Sequence, residues 1–189
     1  MTKELNDYSG KFNPSLTYKD FSKEALLKLM DAWWKIGMQV DVWWNRVVTD
    51  NVSFEAAKKC NPLVWVLIAP HEIRCMREAL NVTGNDVESF FKVIQNDIGF
   101  PQPLFDITWD LKNPEHGIIT VHRCGGLDFY TRESQKRGYD MVQWLCHEYE
   151  PAAFDAYTHA FSPNIKVKAL KLPPKKSPDE PACQWEFTL

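Results

Sequence analysis

Apolar residues recur at steps of three and four early in the chain, which is the spacing of one face of an α-helix. The pattern predicts a long helix from about Ser22 to Thr49, and Ser22 can cap the free N–H groups at its start. Trp34 and Trp43 fall beside the centre of the apolar stripe, so they either widen it or face a second partner. The stripe consists of Leu26, Leu29, Met30, Trp33, Gly37, Val40, Trp44, Val47 and Val48.

Tryptophan is unusually frequent, with eight residues in the chain, and four of them form two adjacent pairs on this helix. Large indole rings serve either as core anchors or as the walls of a flat aromatic cavity. We expect at least two of five tryptophans to line a small-molecule cavity of at least about 300 Å³, the size of an ordinary ligand site. The five candidate ligand-binding residues are Trp33, Trp34, Trp43, Trp44 and Trp65.

Prolines divide the next part of the chain. The residue before a proline resists the helical conformation, so a second helix should end before Pro62. Pro62 can open a third helix, and Pro70 should kink that helix or split it. The helices predicted here are Ser53–Asn61, Leu63–Leu80 and Asp86–Asp97.

After residue 103 the hydrophobic period changes from helical to alternating, which is the signature of β-strands. Two strands come first, helical segments follow, and two more strands end the chain. The simplest arrangement is one antiparallel four-stranded sheet with helices on one face, so we predict an α+β fold with a helical N-terminal layer. Exposed lysines on the third strand suit a sheet edge. The predicted strands are Phe105–Leu111, Ile118–Cys124, Asn164–Leu172 and Cys183–Phe187, and the helical segments between them are Leu127–Arg137 and Tyr139–Phe161.

The length of 189 residues suits one domain with its own core. The pattern divides it into an irregular arm over residues 1–21, a helical part over 22–103 and a sheet with helices over 104–189. We expect the three parts to form one compact domain.

Charge and composition narrow the classes of function. The formal net charge is −3, so no basic field attracts nucleic acid or an anionic membrane. The polar start and the lack of a long apolar run predict neither a signal peptide nor a membrane span. Five cysteines are an odd number without a dense framework, which favours a reducing, cytoplasmic compartment and free thiols.

Three thiols, Cys124, Cys146 and Cys183, lie in or at the ends of predicted elements of the second half. Zinc prefers four ligands from thiolate, imidazole and carboxylate groups, so these thiols and one further residue could bind it. The alternative is that the thiols are small apolar packing residues. The candidates for the fourth ligand are Glu150, Glu148, His147, His122 and Glu133.

A catalytic interpretation uses some of the same residues in the second half of the chain. His122 and Cys124 are two apart on a predicted strand and so should share a face. An imidazole beside a thiol lowers the thiol pKa and makes a nucleophile, and Glu148 or Glu150 would orient the ring. Elsewhere His71 and Cys75 share a predicted helix face, which is weak evidence for a metal.

These features resemble the L-2-amino-thiazoline-4-carboxylic acid hydrolase-like family and, more distantly, vinyl-reductase-type small-molecule-binding domains. The resemblance covers roughly residues 50–189. It lies in the helix start Ser53–Ala57, in a strand ending in Cys124, in a helix carrying Cys146 near an acidic residue, and in the closing strand from Cys183. The family has an aspartate three residues after the middle cysteine, where this chain has Tyr149.

The resemblance implies two functions. The hydrolase-like family implies the opening of a sulfur- or nitrogen-containing heterocycle, here by Cys124, His122 and Glu148. The vinyl-reductase-type domains imply a non-catalytic pocket for a small molecule, supported by zinc on Cys124, Cys146, Cys183 and Glu150. A partner-binding scaffold is a third possibility and would need a large exposed apolar patch.

Overall fold

The computed structural model describes residues 4–100 and 104–189, so part of the predicted linker around Pro101 and Pro103 lies outside the described residues. The protein has the expected α+β fold, with helices first and a four-stranded antiparallel sheet after them. By its contacts the chain divides into two units, Met1–Trp44 and Asn45–Leu189. The elements are α1 (Lys23–Asn51), α2 (Phe54–Leu80), α3 (Val87–Ile94), β1 (Phe105–Asn113), β2 (His116–Cys124), α4 (Gly125–Arg137), α5 (Met141–Trp144), a π-helical turn (Leu145–Tyr149), α6 (Glu150–Phe161), β3 (Lys166–Lys171) and β4 (Cys183–Thr188).

The first unit contains an N-terminal arm and most of α1. Leu5 pairs with Phe21 as an isolated parallel bridge, and its backbone N–H donates to the carbonyl of Asp20 at 2.8 Å. The Tyr18 ring meets Trp33 edge-on, with the ring centroids 5.5 Å apart. The arm is therefore held in place by its own pairing and by one aromatic contact to α1.

The apolar stripe predicted on α1 is only partly buried. Leu26 and Leu29 are half-buried, but Met30, Trp33, Val40 and Val47 are more than half exposed. The amphipathic pattern thus predicted the helix and its length, but four of the nine stripe residues are exposed and the other five are half-buried.

Helix α2 corrects the expected break at Pro62 and excludes a split at Pro70, because it runs as one helix through both prolines. Each proline lacks a backbone N–H and cannot donate within the helix. The residue before each proline is buried: Asn61 is 2% exposed and Ala69 is fully buried. Tertiary packing at these two points offsets the local preference against the helical conformation.

The sheet has the order β1-β2-β4-β3, and each neighbouring pair is antiparallel. Ile119 of β2 faces Trp109 of β1 and Trp185 of β4, and all three side chains pack toward the core. Lys166 and Lys168 of β3 are exposed on an edge strand, as the sequence predicted.

Aromatic rings fill the space between the sheet and the helices of its inner face. Phe90 and Phe91 from α3 and Phe154 from α6 all contact Phe187 of β4, with ring centroids 5.4 to 5.7 Å apart. A second cluster lies around Trp144, which meets Phe54 and Tyr130 edge-on. The half-buried side chains of Trp65 and Leu127 pack against both clusters and join them.

Gly117 on β2 is required by this packing. A Cβ atom at this position would lie 2.6 Å from Cε2 of Phe91, which is buried and cannot move away freely. We expect Gly117→Ala to lower the free energy of unfolding by about 1–3 kcal/mol because of overpacking. Urea denaturation measures the change. Gly126→Ala is the control, since its Cβ would make an ordinary contact 3.6 Å from Cys124 Sγ. Equal stability of the two variants would contradict the close approach of Phe91.

No helix in the described ranges, 4–100 and 104–189, is long and apolar enough to cross a membrane.

Candidate functional site

Cys124 lies at the point where the chain changes from strand to helix. It is the last residue of β2 and the N-cap of α4, and its sulfur accepts a hydrogen bond from the backbone N–H of Leu127 at 3.2 Å. The side chain packs against the main core, so its thiol faces the inner side of the sheet. A thiol in the N-cap position takes the place that a hydroxyl or carboxylate oxygen usually fills.

Cys183 belongs to the last strand of the chain and lies near the same end of the sheet as Cys124. It begins β4, where it is the register partner of Val121, three residues before Cys124. Burial raises the pKa of the Cys183 thiol, and a hydrogen bond from the side chain of Trp185 offsets part of that rise. The antiparallel pairing of β2 and β4 therefore brings two thiols that are far apart in sequence to one end of the sheet.

Cys146 and Glu150 belong to the helices that pack on the sheet. Cys146 is buried in the π-helical turn, and Glu150 is the first residue of α6. A π-helical turn widens the backbone locally and is frequent at functional sites. Glu150 is half-buried and has an interaction partner of its own.

The three thiols and Glu150 act on one another electrostatically. Burial, with the negative charge of Glu150, raises the pKa of Cys124 to about 11 and that of Cys183 to about 12. The pKa of Cys146 is raised further, by burial first and then by Glu150 and the other two thiols. These thiols stay protonated at neutral pH, because each ionisation would place a charge in a buried setting and add negative charge near Glu150.

The side chains as they stand do not form a coordination sphere. Over residues 4–100 and 104–189, no group of three or more His, Cys, Asp or Glu side chains lies close enough together to hold a metal ion. The set of donors, three thiols and a carboxylate, is nevertheless the chemistry that zinc prefers. Binding would therefore need rotation of these side chains toward one another and loss of the thiol protons.

His122 does not stand beside Cys124, which corrects the shared face predicted for them. The register of β1 and β2 shifts at this point, since Asp106 faces Arg123 and Ile107 faces Val121, and His122 is the extra residue of a bulge. Its ring lies 2.9 Å from the hydroxyl of Thr108 and is exposed. A bulge breaks the alternation of side chains along a strand, so a spacing of two no longer places both residues on one face.

Other predicted partners of the thiols are engaged elsewhere. Glu148 is half exposed and lies 3.6 Å from the ammonium group of Lys58. The Nε2 atom of His147 lies 2.8 Å from the carbonyl oxygen of Pro173, and Glu133 pairs with Arg137 at 3.2 Å. Of the candidate fourth ligands, Glu150 is the one whose charge acts on all three thiols.

The five tryptophans predicted to bind a ligand differ in their surroundings. Trp33 and Trp43 are about half exposed, and Trp34 and Trp44 are half-buried. Trp65 packs against Tyr149 and Tyr157, and its buried indole N–H finds no acceptor within the described ranges. Trp65 is therefore the tryptophan of the five that lies beside the π-helical turn and can donate to a ligand.

His71 and Cys75 share a helix face as their spacing predicted, with Nε2 and Sγ 3.7 Å apart. Both are exposed, and the guanidinium of Arg74 donates to Nδ1 of His71 at 2.9 Å. These two side chains supply only two donors, which does not make a metal site.

An acidic pair, buried Asp97 and half-buried Glu72, was not predicted from the sequence. Tyr157 donates a short hydrogen bond to Glu72, and Asp97 accepts one from the backbone N–H of Gly99 at 2.6 Å. Burial, followed by the charge of Glu72, raises the pKa of Asp97 to about 8. The second oxygen of Asp97 is buried and has no hydrogen-bond partner among the residues described. A proton on Asp97, shared with Glu72, would supply one. These residues come from distant parts of the chain and have no common motif.

No family model, curated protein or solved structure matches the chain. The arguments for its function therefore depend on the site itself.

Proposed function

We propose that Cys124, Cys146, Cys183 and Glu150 bind one thiophilic divalent cation, zinc by ligand preference, in a non-catalytic module that handles a small molecule. The observation that supports the proposal is that these four groups, which come from three parts of the fold, act on one another electrostatically. The end of the β2–β4 pair supplies two thiols, the π-helical turn supplies the third, and the start of α6 supplies the carboxylate.

A bound cation would offset the electrostatic cost of ionising these thiols. The charge of Glu150 and the low polarity around the thiols oppose the thiolate form of all three cysteines. A divalent cation reverses that effect, because it attracts thiolates and displaces their protons. The proposal thus gives a reason why three thiols and an acidic group occupy one partly buried place.

The hydrolase alternative has weaker support from the geometry. A nucleophilic thiol needs a lowered pKa, whereas burial raises that of Cys124. His122 hydrogen-bonds to Thr108 on the bulged strand, and Glu148 lies near Lys58. Neither proposed catalytic partner thus reaches the thiol, so we place the cation-binding function first.

The small-molecule part of the proposal is supported by two buried indole N–H groups near the site. Trp65 and Trp144 both pack against Tyr149, and neither N–H has an acceptor in the described part of the chain. A buried donor without an acceptor costs about 1–3 kcal/mol. A ligand with a hydrogen-bond acceptor between these rings would remove that cost.

Zinc titration tests the proposal through the protons that binding releases. Because the three thiols are protonated at pH 7.5, we expect one zinc ion per chain and the release of about three protons for each ion bound. Calorimetry in buffers of different ionisation enthalpy measures this number. Cys146→Ser should reduce the release by about one proton and weaken binding by at least about tenfold.

Cys60→Ser is the matched control, because Cys60 is exposed and lies outside the cluster. This variant should bind zinc and release protons as the wild type does. Absence of zinc binding, or binding that Cys146→Ser leaves unchanged, would contradict the proposal. Circular dichroism of each variant separates loss of the site from loss of the fold.

A further inference from the structure

Helix α1 carries an exposed apolar seam in addition to its buried side. Its residues follow one another at steps of three, four, three and four, and each is between 52% and 64% exposed. We call this set the α1 seam. The α1 seam consists of Trp33, Ile36, Val40, Trp43 and Val47.

The spacing of the α1 seam is that of a heptad repeat. Apolar residues with an average period of 3.5 lie along one line of a helix and are typical of helices that pair with another helix along their length. From Trp33 to Val47 the line extends about 21 Å at 1.5 Å per residue. A scattered set of exposed apolar residues needs no partner, but a continuous line of this length is typical of an interface.

The two sides of the helix differ in a way that supports a partner on the seam. Asn45 and Thr49, on the side away from the seam, are buried. Val40 and Val47, on the seam, are more than half exposed although both are apolar. The seam is therefore not the side that α1 buries around Asn45 and Thr49, and its apolar side chains are accessible to a partner.

We propose that the α1 seam pairs with the α1 seam of a second copy of this chain and forms a two-fold symmetric dimer. A two-fold axis brings identical patches together, and an apolar heptad line is complementary to itself. The exposed parts of the five side chains amount to roughly 500 Å² of apolar surface, comparable with the apolar part of the about 800 Å² that each partner buries in a standard interface.

The charges of α1 favour a second copy over a lipid surface. Lys23, Lys28, Lys35 and Arg46 are balanced by Glu24, Asp31, Asp41 and Asp50, so the helix has no net positive charge to attract anionic lipid. Lys28, Lys35 and Arg46 pair with acidic residues of the same helix at 2.7, 2.6 and 3.5 Å. A partner can therefore cover the seam without leaving any of these three basic side chains unpaired.

Sedimentation velocity of the full chain at increasing concentration tests the dimer. We expect the wild type to reach twice the mass of one 22.0 kDa chain at micromolar concentration. Val40→Glu places a charge in the middle of the seam and should weaken association by at least about 100-fold. Because Val40 is exposed, this variant should keep the circular dichroism spectrum and melting temperature of the wild-type monomer.

Leu27→Glu is the matched control, since Leu27 is similarly exposed on the same helix but lies on the side opposite to the seam. It should dimerise as the wild type does. Two results would overturn the proposal: a wild type that stays monomeric up to 100 µM, whether or not it binds lipid vesicles, or a dimer that Val40→Glu leaves intact. The zinc content of all three proteins should be equal, so the dimer and the proposed cation site are tested independently.

Discussion

Iodoacetamide will modify Cys60 and Cys75 at pH 8 well before it modifies Cys124 in protein freed of metal by a chelator. Cys60 and Cys75 are exposed, whereas burial raises the pKa of Cys124 to about 11. At pH 8 the thiolate fraction of a thiol with this pKa is about 200-fold lower than that of an ordinary free thiol with a pKa of about 8.5. A thiolate whose thiol has a higher pKa is intrinsically more reactive, which offsets part of this difference. We therefore expect Cys124 to be labelled at least about tenfold more slowly than Cys60 and Cys75.

The pH dependence of the labelling rate is a second test of the raised pKa of Cys124. Below its pKa a thiol gains tenfold in thiolate for each pH unit, so Cys124 should label about tenfold faster at pH 9 than at pH 8. An ordinary free thiol gains about threefold over the same interval. Mass mapping of the labelled peptides gives the rate at each cysteine, and circular dichroism at both pH values checks that the fold is intact.

Zinc supplies the control for the same experiment. If the proposed site is correct, added zinc should slow labelling of Cys124, Cys146 and Cys183 at pH 9 and leave Cys60 and Cys75 unaffected. Rapid and selective labelling of Cys124 at pH 7 would instead support a nucleophilic thiol and would contradict the raised pKa. Equal rates with and without zinc would remove the support for a cation site.

The second large effect is a loss of stability as the pH rises from about 4 to about 8. Asp97 keeps its proton in the folded protein up to a pKa of about 8, because it is buried beside Glu72. In the unfolded chain an aspartic acid loses its proton near pH 3.9. Between these values the folded state binds more protons than the unfolded state, so the free energy of unfolding falls as the pH rises. Each pH unit in this interval lowers the free energy of unfolding by up to about 1.4 kcal/mol, and the whole interval lowers it by on the order of 3–5 kcal/mol.

Asp97→Asn isolates this contribution. The amide can donate to Glu72 as the protonated acid does, but it does not ionise. The variant should therefore be more stable than the wild type at pH 8.5, and its stability should depend less on pH. Urea denaturation from pH 4.5 to pH 8.5 measures both curves. Burial also raises the pKa of Asp41, to about 6, but that contribution is common to both proteins and cancels in the comparison.

Glu72→Gln is a second variant for the case in which Asp97→Asn fails to fold. Its amide can donate to Asp97 and accept the hydrogen bond of Tyr157, so it should also flatten the pH dependence. Parallel pH curves for wild type and both variants would show that no proton is held between the two side chains.

The sequence by itself determined the fold class and most elements, because those depend on local periodicity. Steps of three and four over α1 and alternation over β1 and β2 are properties of neighbouring residues, and the structure contains each of these elements within a few residues of its predicted bounds. The alternating lysines of β3 likewise predicted an edge strand without any knowledge of its neighbours.

Only the tertiary structure decided which face of each helix and strand packs against which other element of the chain. Burial of Asn61 and Ala69 carries α2 as one helix through Pro62, where a break was predicted, and through Pro70, where a kink or a split was predicted. The bulge at His122 depends on the pairing of β1 with β2, and it separates an imidazole from the thiol two residues away. The exposed α1 seam and the Asp97–Glu72 pair arise in the same way. Periodicity shows that an element has an apolar or a polar face. Which residues pack on that face depends on contacts between residues far apart in sequence.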